Sequence, residues 1–530
     1  MRRRPLIVPT RVKPGTIDEL RDARTGALTC LVEKLAEGKQ TPRDLYRIPG
    51  LGTEQQFTSC ANNRVNAYTA LLERVFFHEI GGVFQRPAIP GRGVVESAFR
   101  HFRSSIKCFA RELAPVPVLE YPKTVYSGRR LALYQKAAED VARRGPLISD
   151  SFLSTFLKHE KLPVSKKRVV PRVIQPRRPQ YNVEVGRYLH QLEHVLYSVI
   201  ADIYGAPTVM KGYNAFQQGR MFSEAWGEFN SPAGLGLDAS RFDQHISTPL
   251  LSWEHGVYGL FYHNDGHLAR LLRWQLKNRG YIRTYDGSFR YKVDGGRCSG
   301  DMNTAMGNCL IMCAAVHSLL HHLGMARRGA SKVRLFNNGD DCMLIGERAD
   351  LARVADEVPA YFARLGLVMK VEPLVDVFEK LSFCQTQPVR DELGVRMCRD
   401  PRVSLSKDAT QLDLGHSQQP NLTNQLYAIG QCGLALCGGL PVLQAYYTAV
   451  QRGQHPGKGV DYKFYQSGFY QLSKGLVPKQ SVVTDTARVS FYNAFGIPPD
   501  LQIELERYYD SMPPIVGGPV QDIDEIGLPL

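Results

Sequence analysis

The distribution of apolar and polar positions divides the chain into stretches of different texture. Residues 1–120 carry helical spacing at Leu28–Leu35 and Ala67–Phe77, interrupted by Pro and Gly, which predicts short helices. Residues 158–178, KHEKLPVSKKRVVPRVIQPRR, hold eight basic side chains and one acid. The β-branched Val169, Val170, Val173 and Ile174 among them predict strands, so the charges should project from an ordered ribbon. From 234 to 385 strand-like and helix-like segments alternate. Beyond about 386 helical patterns dominate, ending in a Pro/Gly-rich, acidic tail that is expected to be irregular. The uncharged stretch Tyr427–Val450 is interrupted by Gly430, Gly433, Gly438, Gly439 and Pro441. Two short buried helices joined by a turn fit it better than one membrane span.

Three segments of the alternating region carry candidate chemistry. Gly234-Leu-Gly-Leu-Asp238 reads as a buried strand ending on a carboxylate. Ser240-Arg-Phe242 then turns into a helix that bears Asp243. Val333–Phe336 and Cys342–Ile345 are β-type runs separated by Asn-Asn-Gly-Asp-Asp, a hairpin signal that puts Asp340 and Asp341 at or just beyond the turn. Adjacent carboxylates repel and lose solvation when buried. Such a turn is either a solvated tip rich in Asn, Gly and Asp, or part of a divalent-metal site, where a cation reverses the repulsion. Asp238 at its strand end would complete a three-carboxylate cluster able to hold two Mg²⁺ ions, with Mn²⁺ as a substitute, in the geometry of in-line nucleotidyl transfer. In the third segment, Cys298-Ser-Gly-Asp-Met-Asn-Thr-Ala-Met-Gly-Asn308, Ser299-Gly300 is a loop entering a long apolar helix. Thr304 and Asn308 share a face of its first turns.

Charge narrows the partner class. With 66 Lys+Arg against 51 Asp+Glu, the net charge of +15 favours a polyanion. Eleven cysteines without a Cys-x-x-Cys pair, including Cys309, Cys313, Cys432 and Cys437 in apolar context, read as reduced core residues. His317 and His321 lie four apart on a helix, but apolar neighbours and the lack of an adjoining Glu make them core or surface histidines. The basic start MRRRPLIVPTRVK has too short an apolar run for a signal peptide.

Together GLDASRFDQH, SGDMNTAMGN and NNGDD resemble motifs A, B and C of viral RNA-dependent RNA polymerases, in the family's order and spacing. The likeness is to the replicases of the Tombusviridae and related plus-strand RNA viruses, and spans roughly residues 120–410. It implies an α+β right-hand fold with an antiparallel palm sheet and a helical thumb. Residues 1–120 would extend into the fingers and fingertips, 121–233 would form the fingers, 234–385 the palm with an insertion near 262–297, and 386–530 the thumb and tail. It also implies RNA-templated RNA synthesis from ribonucleoside triphosphates. Asp238, Asp340 and Asp341 would bind metal, while Asp243 and Asn308, helped by Ser299 and Thr304, would read the ribose 2′-hydroxyl, the group that separates RNA from DNA.

The basic ribbon resembles motif F. Arg172 would meet the nucleotide together with Lys158 and Lys167, while Lys161 and Arg177 would meet RNA. Gly366-Leu-Val-Met-Lys370 resembles motif D and makes Lys370 the general acid for pyrophosphate, with Lys380 its rival. Leu381–Gln385 resembles motif E, placing Cys384 and Gln385 under the primer strand. Tyr126-Ser127-Gly128, with Arg130 and Tyr134, resembles motif G, which guides the template. Family replicases are commonly made with a membrane-anchored N-terminal part that this chain does not show. The expectation is a downstream portion of a longer product, or a relative recruited by a viral membrane-anchored protein and host factors to replication complexes in the infected cytoplasm. A reverse transcriptase would share palm and metals, but would need a bulky residue against the 2′-hydroxyl where this chain offers Asp243 and Asn308. A non-catalytic RNA-binding or coat protein would explain the charge and leave the ordered motifs unexplained. An amphipathic membrane protein would need a basic amphipathic helix, which is lacking.

Overall fold

In a computed structural model of the chain, the structure describes residues 4–5, 31–39, 43, 45–48, 50–53, 55–80, 82–165, 169–412, 418–455 and 468–515. At its centre is an antiparallel four-stranded sheet. Its strands are β1 (Pro232–Ala239), β2 (Val333–Asn337), β3 (Asp341–Glu347) and β4 (Met369–Val371), in the order β2-β3-β1-β4. Strand periodicity divides the side chains between two cores. Ala233, Leu235, Leu237, Cys342 and Leu344 point into one cluster, built with long helices that include α1 (Thr304–His322). Met343 and Ile345 point into the other, which contains Phe222, Leu405 and the C-terminal helices. With both faces covered, the strands read as near-continuous apolar runs.

A second, six-stranded sheet gathers distant segments. Arg4–Pro5, Leu31–Leu35, Gly287–Asp294, Lys277–Arg283, Leu153–Leu157 and Val173–Ile174 follow one another across it. The early residues also tie remote parts together. Leu45–Arg47 pairs with Thr410–Leu412, and Phe57–Thr58 pairs with Leu162–Pro163. The Thr53 N–H donates to Ser406 Oγ at 2.7 Å.

Several local expectations change. Leu31–Leu35 is a strand rather than helix because it pairs along Gly287–Tyr291, so tertiary pairing overrides local spacing; the start of that expected helix, residues 28–30, lies outside the described residues. Ala67–Phe77 is largely helical as predicted, in Arg64–Leu71 followed by a π-turn at Leu72–Phe76. Only Val173–Ile174 of the basic ribbon's β-branched residues form a strand; Pro171 lacks an N–H and restricts Val170 before it. A hairpin, Thr386–Asp391 with Gly394–Arg399, precedes the C-terminal helices. Tyr427–Val450 does form parts of two helices, Gln418–Cys437 and Leu443–Gln451. The expected irregular tail, from 516 onward, lies outside the described residues. Helix α1 is long and apolar enough to cross a bilayer, yet 83% of its most apolar window is buried within the fold. An all-apolar helix at the centre of a large core has this character.

Candidate active site

The β2–β3 hairpin builds its tip from its own side chains. The buried Asn337 donates from Nδ2 to the Gly339 carbonyl at 2.8 Å and accepts from the Gly339 N–H at 3.1 Å. Gly339 adopts φ of +96°, a conformation that disfavours any side chain. The residue after it, Asp340, reaches solvent, and Asp341 opens β3.

Asp238 stands directly opposite Asp341 in the β1–β3 register and opposite Lys370 in the β1–β4 register. Cross-strand partners project to the same face of a sheet. Asp238, Asp341 and Lys370 therefore share one face of the sheet, and Asp340 adjoins them at the turn. Burial pushes the Asp341 carboxyl up to about 6, against the hydrogen bond it accepts from the Cys384 N–H at 2.8 Å, and the neighbouring Asp340 and Asp238 carboxylates push the same way. Asp340 reaches solvent at one side only: desolvation by the surrounding turn and then the Asp238 carboxylate raise it, while its own backbone, Lys211 and Arg172 oppose them.

Among the described residues, none of these three acids forms an ion pair, and no group of three or more His, Cys, Asp or Glu is placed to hold a metal ion as it stands. The donor set nonetheless fits a hard divalent cation. It consists of carboxylate oxygens that disfavour one another's ionisation and have no ion-pair partner among the described residues.

Asp243 and Asn308, expected to read the ribose, are in direct contact. Asn308 Nδ2 donates to Asp243 Oδ1 at 2.9 Å, and a Cβ on Gly339 would lie 3.6 Å from Asn308 Cβ, so α1 packs against the carboxylate turn. Burial raises the Asp243 carboxyl, Asn308 and Arg297 lower it, and Asp340 raises it, which places Asp243 within electrostatic reach of the cluster. Thr304 Oγ1 donates to the Cys298 carbonyl at 3.0 Å, and the Ser299 carbonyl accepts from the Gln175 N–H at 2.6 Å. Both help fix the loop before α1.

Asn338 of the hairpin and Ala305 of α1 border a cavity of ≈ 1310 Å³ whose wall also includes Lys158, Lys161, Arg172, Lys211, Arg399 and Lys407 against Glu160, Glu193 and Asp408; Asp238, Asp340 and Asp341 are not among its lining residues. Cations outnumber acids there, as a polyanion requires. Arg172 pairs with Glu160 through both ends of its guanidinium and is held above its ordinary pKa by Glu160, and more weakly by Asp340. Lys158 lies 3.6 Å from the same Glu160. Lys161 donates to the Lys407 carbonyl at 2.5 Å, joining the ribbon to the helix Pro401–Ala409, and burial lowers it to about 8. Cys384 and Gln385, also on the wall, have φ of 51° and 62° and form the tight turn between Phe383 and Thr386. Ser127 and Gly128 are exposed at the start of the helix Gly128–Arg144, beside the stacked rings of Tyr126 and Tyr134, 4.1 Å between centroids.

Some predicted residues take other places. Arg177 cannot meet RNA: it is 3% exposed, paired with Asp301 at 2.5 Å, and donates to the Ser151 carbonyl and to Asn278. A buried guanidinium with its donors occupied is an internal brace, so the expectation that the ribbon's charges all project outward fails here. Lys167 lies outside the described residues. Lys380, the rival named for Lys370, donates to the Ala494 carbonyl at 3.1 Å. His317 is a core residue between Phe102 and Tyr204, and His321 stacks on His101. All ten described cysteines are free, six of them buried.

Lys211 escaped the sequence reading altogether. It donates to Asn338 Oδ1 at 2.7 Å from a loop that runs beside the end of β2, where the Met210 N–H donates to the Asn337 carbonyl at 2.8 Å. No spacing rule flags a lone lysine more than a hundred residues from the turn it braces. The Cys384 N–H escaped for a similar reason: a backbone donor has no residue type to betray it.

The sequence profile described as viral RNA dependent RNA polymerase matches residues 31–516. Among curated relatives, an RNA-directed RNA polymerase of Maize chlorotic mottle virus is 41% identical over 89% of this chain and 48% of its own length. That of Turnip crinkle virus is 41% identical over 89% of this chain and 60% of its own. That of Melon necrotic spot virus is 39% identical over 94% of this chain and 63% of its own. The chain thus spans about half to just under two thirds of the relatives it matches.

Proposed function

Because this chain belongs to the viral RNA dependent RNA polymerase family, we propose that it synthesises RNA on an RNA template from ribonucleoside triphosphates and so replicates a plus-strand viral genome. The observation that carries the proposal is the register that sets Asp238 opposite Asp341 with Asp340 at the adjoining turn. We read the central sheet, within 234–385, as the palm of a right hand. Residues 121–233 and the 262–297 insertion are then fingers, 386–530 the thumb, and residues 1–120 an extension linking fingers to thumb.

In this reading Asp238, Asp340 and Asp341 hold two divalent ions, Mg²⁺ or in its place Mn²⁺. When bound, the ions lower the pKa of the attacking 3′-hydroxyl and offset charge on the leaving pyrophosphate. Arg172 and Lys158, now engaged with Glu160, turn to the triphosphate. Asp243 and Asn308 accept and donate to the ribose 2′-hydroxyl. Lys370, next to Asp238 and 3.4 Å from Glu372, gives its Nζ proton to the departing pyrophosphate oxygen. Cys384 and Gln385 support the growing strand, and Ser127 and Gly128 line the template path. The partners are RNA, nucleotides and, for recruitment to membrane-associated complexes in the host cytoplasm, a viral anchor protein and host factors.

The test is purified protein with a short RNA template, labelled nucleotides and Mg²⁺. Asp340→Asn should abolish incorporation while leaving template binding near normal, because it removes one carboxylate and none of the basic wall. Near-normal synthesis by that variant refutes the assignment.

A further inference from the structure

Behind the Asp243–Asn308 hydrogen bond lies a buried polar cluster that the proposed chemistry does not use. Arg297 donates from Nε to Asn308 Oδ1 at 2.9 Å and from Nη1 to Glu254 Oε1 at 3.0 Å, while its Nη2 meets the second Glu254 oxygen. Glu254 and Arg297 are 0% and 4% exposed. Glu254 Oε1 also accepts from Asn303 Nδ2 and from the Tyr258 hydroxyl, each at 2.7 Å. The Arg297 N–H donates to the Asp243 carbonyl at 2.7 Å, so the same residue touches both members of the sugar-reading pair. Helix α1 presses onto the cluster at Gly307, where any Cβ would overlap Glu254 Oε1 and Arg297 Nη2.

A carboxamide has two orientations of nearly equal shape, and only its hydrogen bonds distinguish them. A guanidinium donates and cannot accept, so Arg297 admits one orientation alone: Oδ1 toward itself and Nδ2 toward Asp243. With Asp243 Oδ1 thereby engaged, its second oxygen has no donor among the described residues and is the one available to a hydroxyl. A buried ion pair is poor evidence for stability, because desolvation offsets much of its attraction; fixing one arrangement is its better-attested use.

We propose that the Glu254–Arg297 pair is the positioning device for ribose selection, locking the Asn308 amide so that the open Asp243 oxygen is held for the 2′-hydroxyl. This rests on the reading of Asp243 and Asn308 as the ribose site. Arg297→Lys keeps a cation against Glu254 but loses the fork that reaches both Glu254 and Asn308.

The full chain is assayed for incorporation of a ribonucleotide against its 2′-deoxy counterpart on an RNA template, with template affinity as the control for folding. Arg297→Lys should lower the ribo/deoxy ratio of kcat/KM about tenfold, the worth of one hydrogen bond, mainly by raising KM for the ribonucleotide. Asn308→Ala should do the same, and the double variant should fall no further. Should Arg297→Lys fail to fold, Glu254→Gln with Arg297→Met removes both charges together and should show the same lowered ratio. If Asn308→Ala lowers the ratio while Arg297→Lys, or the charge-free pair, keeps it, the positioning role is overturned and the ribose site stands. If Asn308→Ala leaves the ratio unchanged, the ribose site itself falls, and the proposal with it.

Discussion

Asp341→Asn should stabilise the protein while silencing it. The carboxyl is raised from an ordinary 3.8 to about 6, first by burial and then by Asp340 and Asp238. At about 1.36 kcal/mol per pKa unit, that difference amounts to roughly 3 kcal/mol against the ionised folded state. The sign follows from proton binding. Between pH 3.8 and about 6 the folded protein holds a proton that the unfolded chain has released, so this contribution is fully present below 3.8 and lost as pH rises through about 6. The Asn variant carries no charge to disfavour, and its amide oxygen still accepts from the Cys384 N–H. Thermal melts in a chelating buffer should therefore place the variant roughly 2–5 °C above wild type at pH 8, with the gap closing toward pH 4. Millimolar Mg²⁺ should raise wild type and close the gap from the other side, by about 2.7 kcal/mol at a hundredfold excess over Kd. A variant less stable than wild type at pH 8, or a gap that does not change with pH, refutes the account of Asp341 as a carboxylate held against its solvation preference.

Three further outcomes follow from named contacts. Lys370→Ala should slow incorporation at saturating nucleotide by roughly 10²–10⁴-fold, and an unaltered rate in single-turnover kinetics would dismiss its role as acid. Lys211→Met removes the cation that lowers Asp340, so the acid limb of the pH–rate profile should move to higher pH; an unmoved limb means the lysine acts elsewhere. Arg177→Met leaves Asp301 buried without its partner and should cost about 3–5 kcal/mol in stability, while the salt dependence of RNA binding stays as in wild type. A shallower salt slope with normal melting would return Arg177 to the RNA surface.

The candidate site was legible wherever local pattern and chemistry coincided. Asn-Gly between two β runs announces a hairpin whatever surrounds it, and an apolar run ending on Asp238 announces a strand end, so the register of Asp238 with Asp341 was foreseeable. Burial was not legible in the basic ribbon: Arg172 and Arg177 stand five residues apart in like company, yet one lines the cavity and the other braces Asp301 inside the fold. Charge alone does not say which side of a segment faces water. The early residues were opaque for another reason. Leu31–Leu35 and Leu45–Arg47 gain their strand character from partners about 255 and 365 residues away, and no window of local sequence contains those partners.

Glycine carried more of the geometry than the acids did. Along Gly234-Leu-Gly-Leu-Asp238 the leucines face one core, and the glycines share Asp238's face. A Cβ at Gly234 would overlap Leu381, and one at Gly236 would lie 2.5 Å from the Glu372 carboxylate. The bare backbone on that face lets the segment 369–381 settle against β1, where the Glu372 N–H donates to the Gly236 carbonyl at 2.9 Å and the Val375 N–H donates to the Gly234 carbonyl at 3.0 Å. That close approach sets the register bringing Lys370 opposite Asp238, and the same segment runs on into the turn whose Cys384 N–H holds Asp341. A side chain at Gly236 would displace the Glu372 carboxylate, the ion-pair partner of the proposed acid Lys370, and so disturb the centre without replacing any of its charged residues.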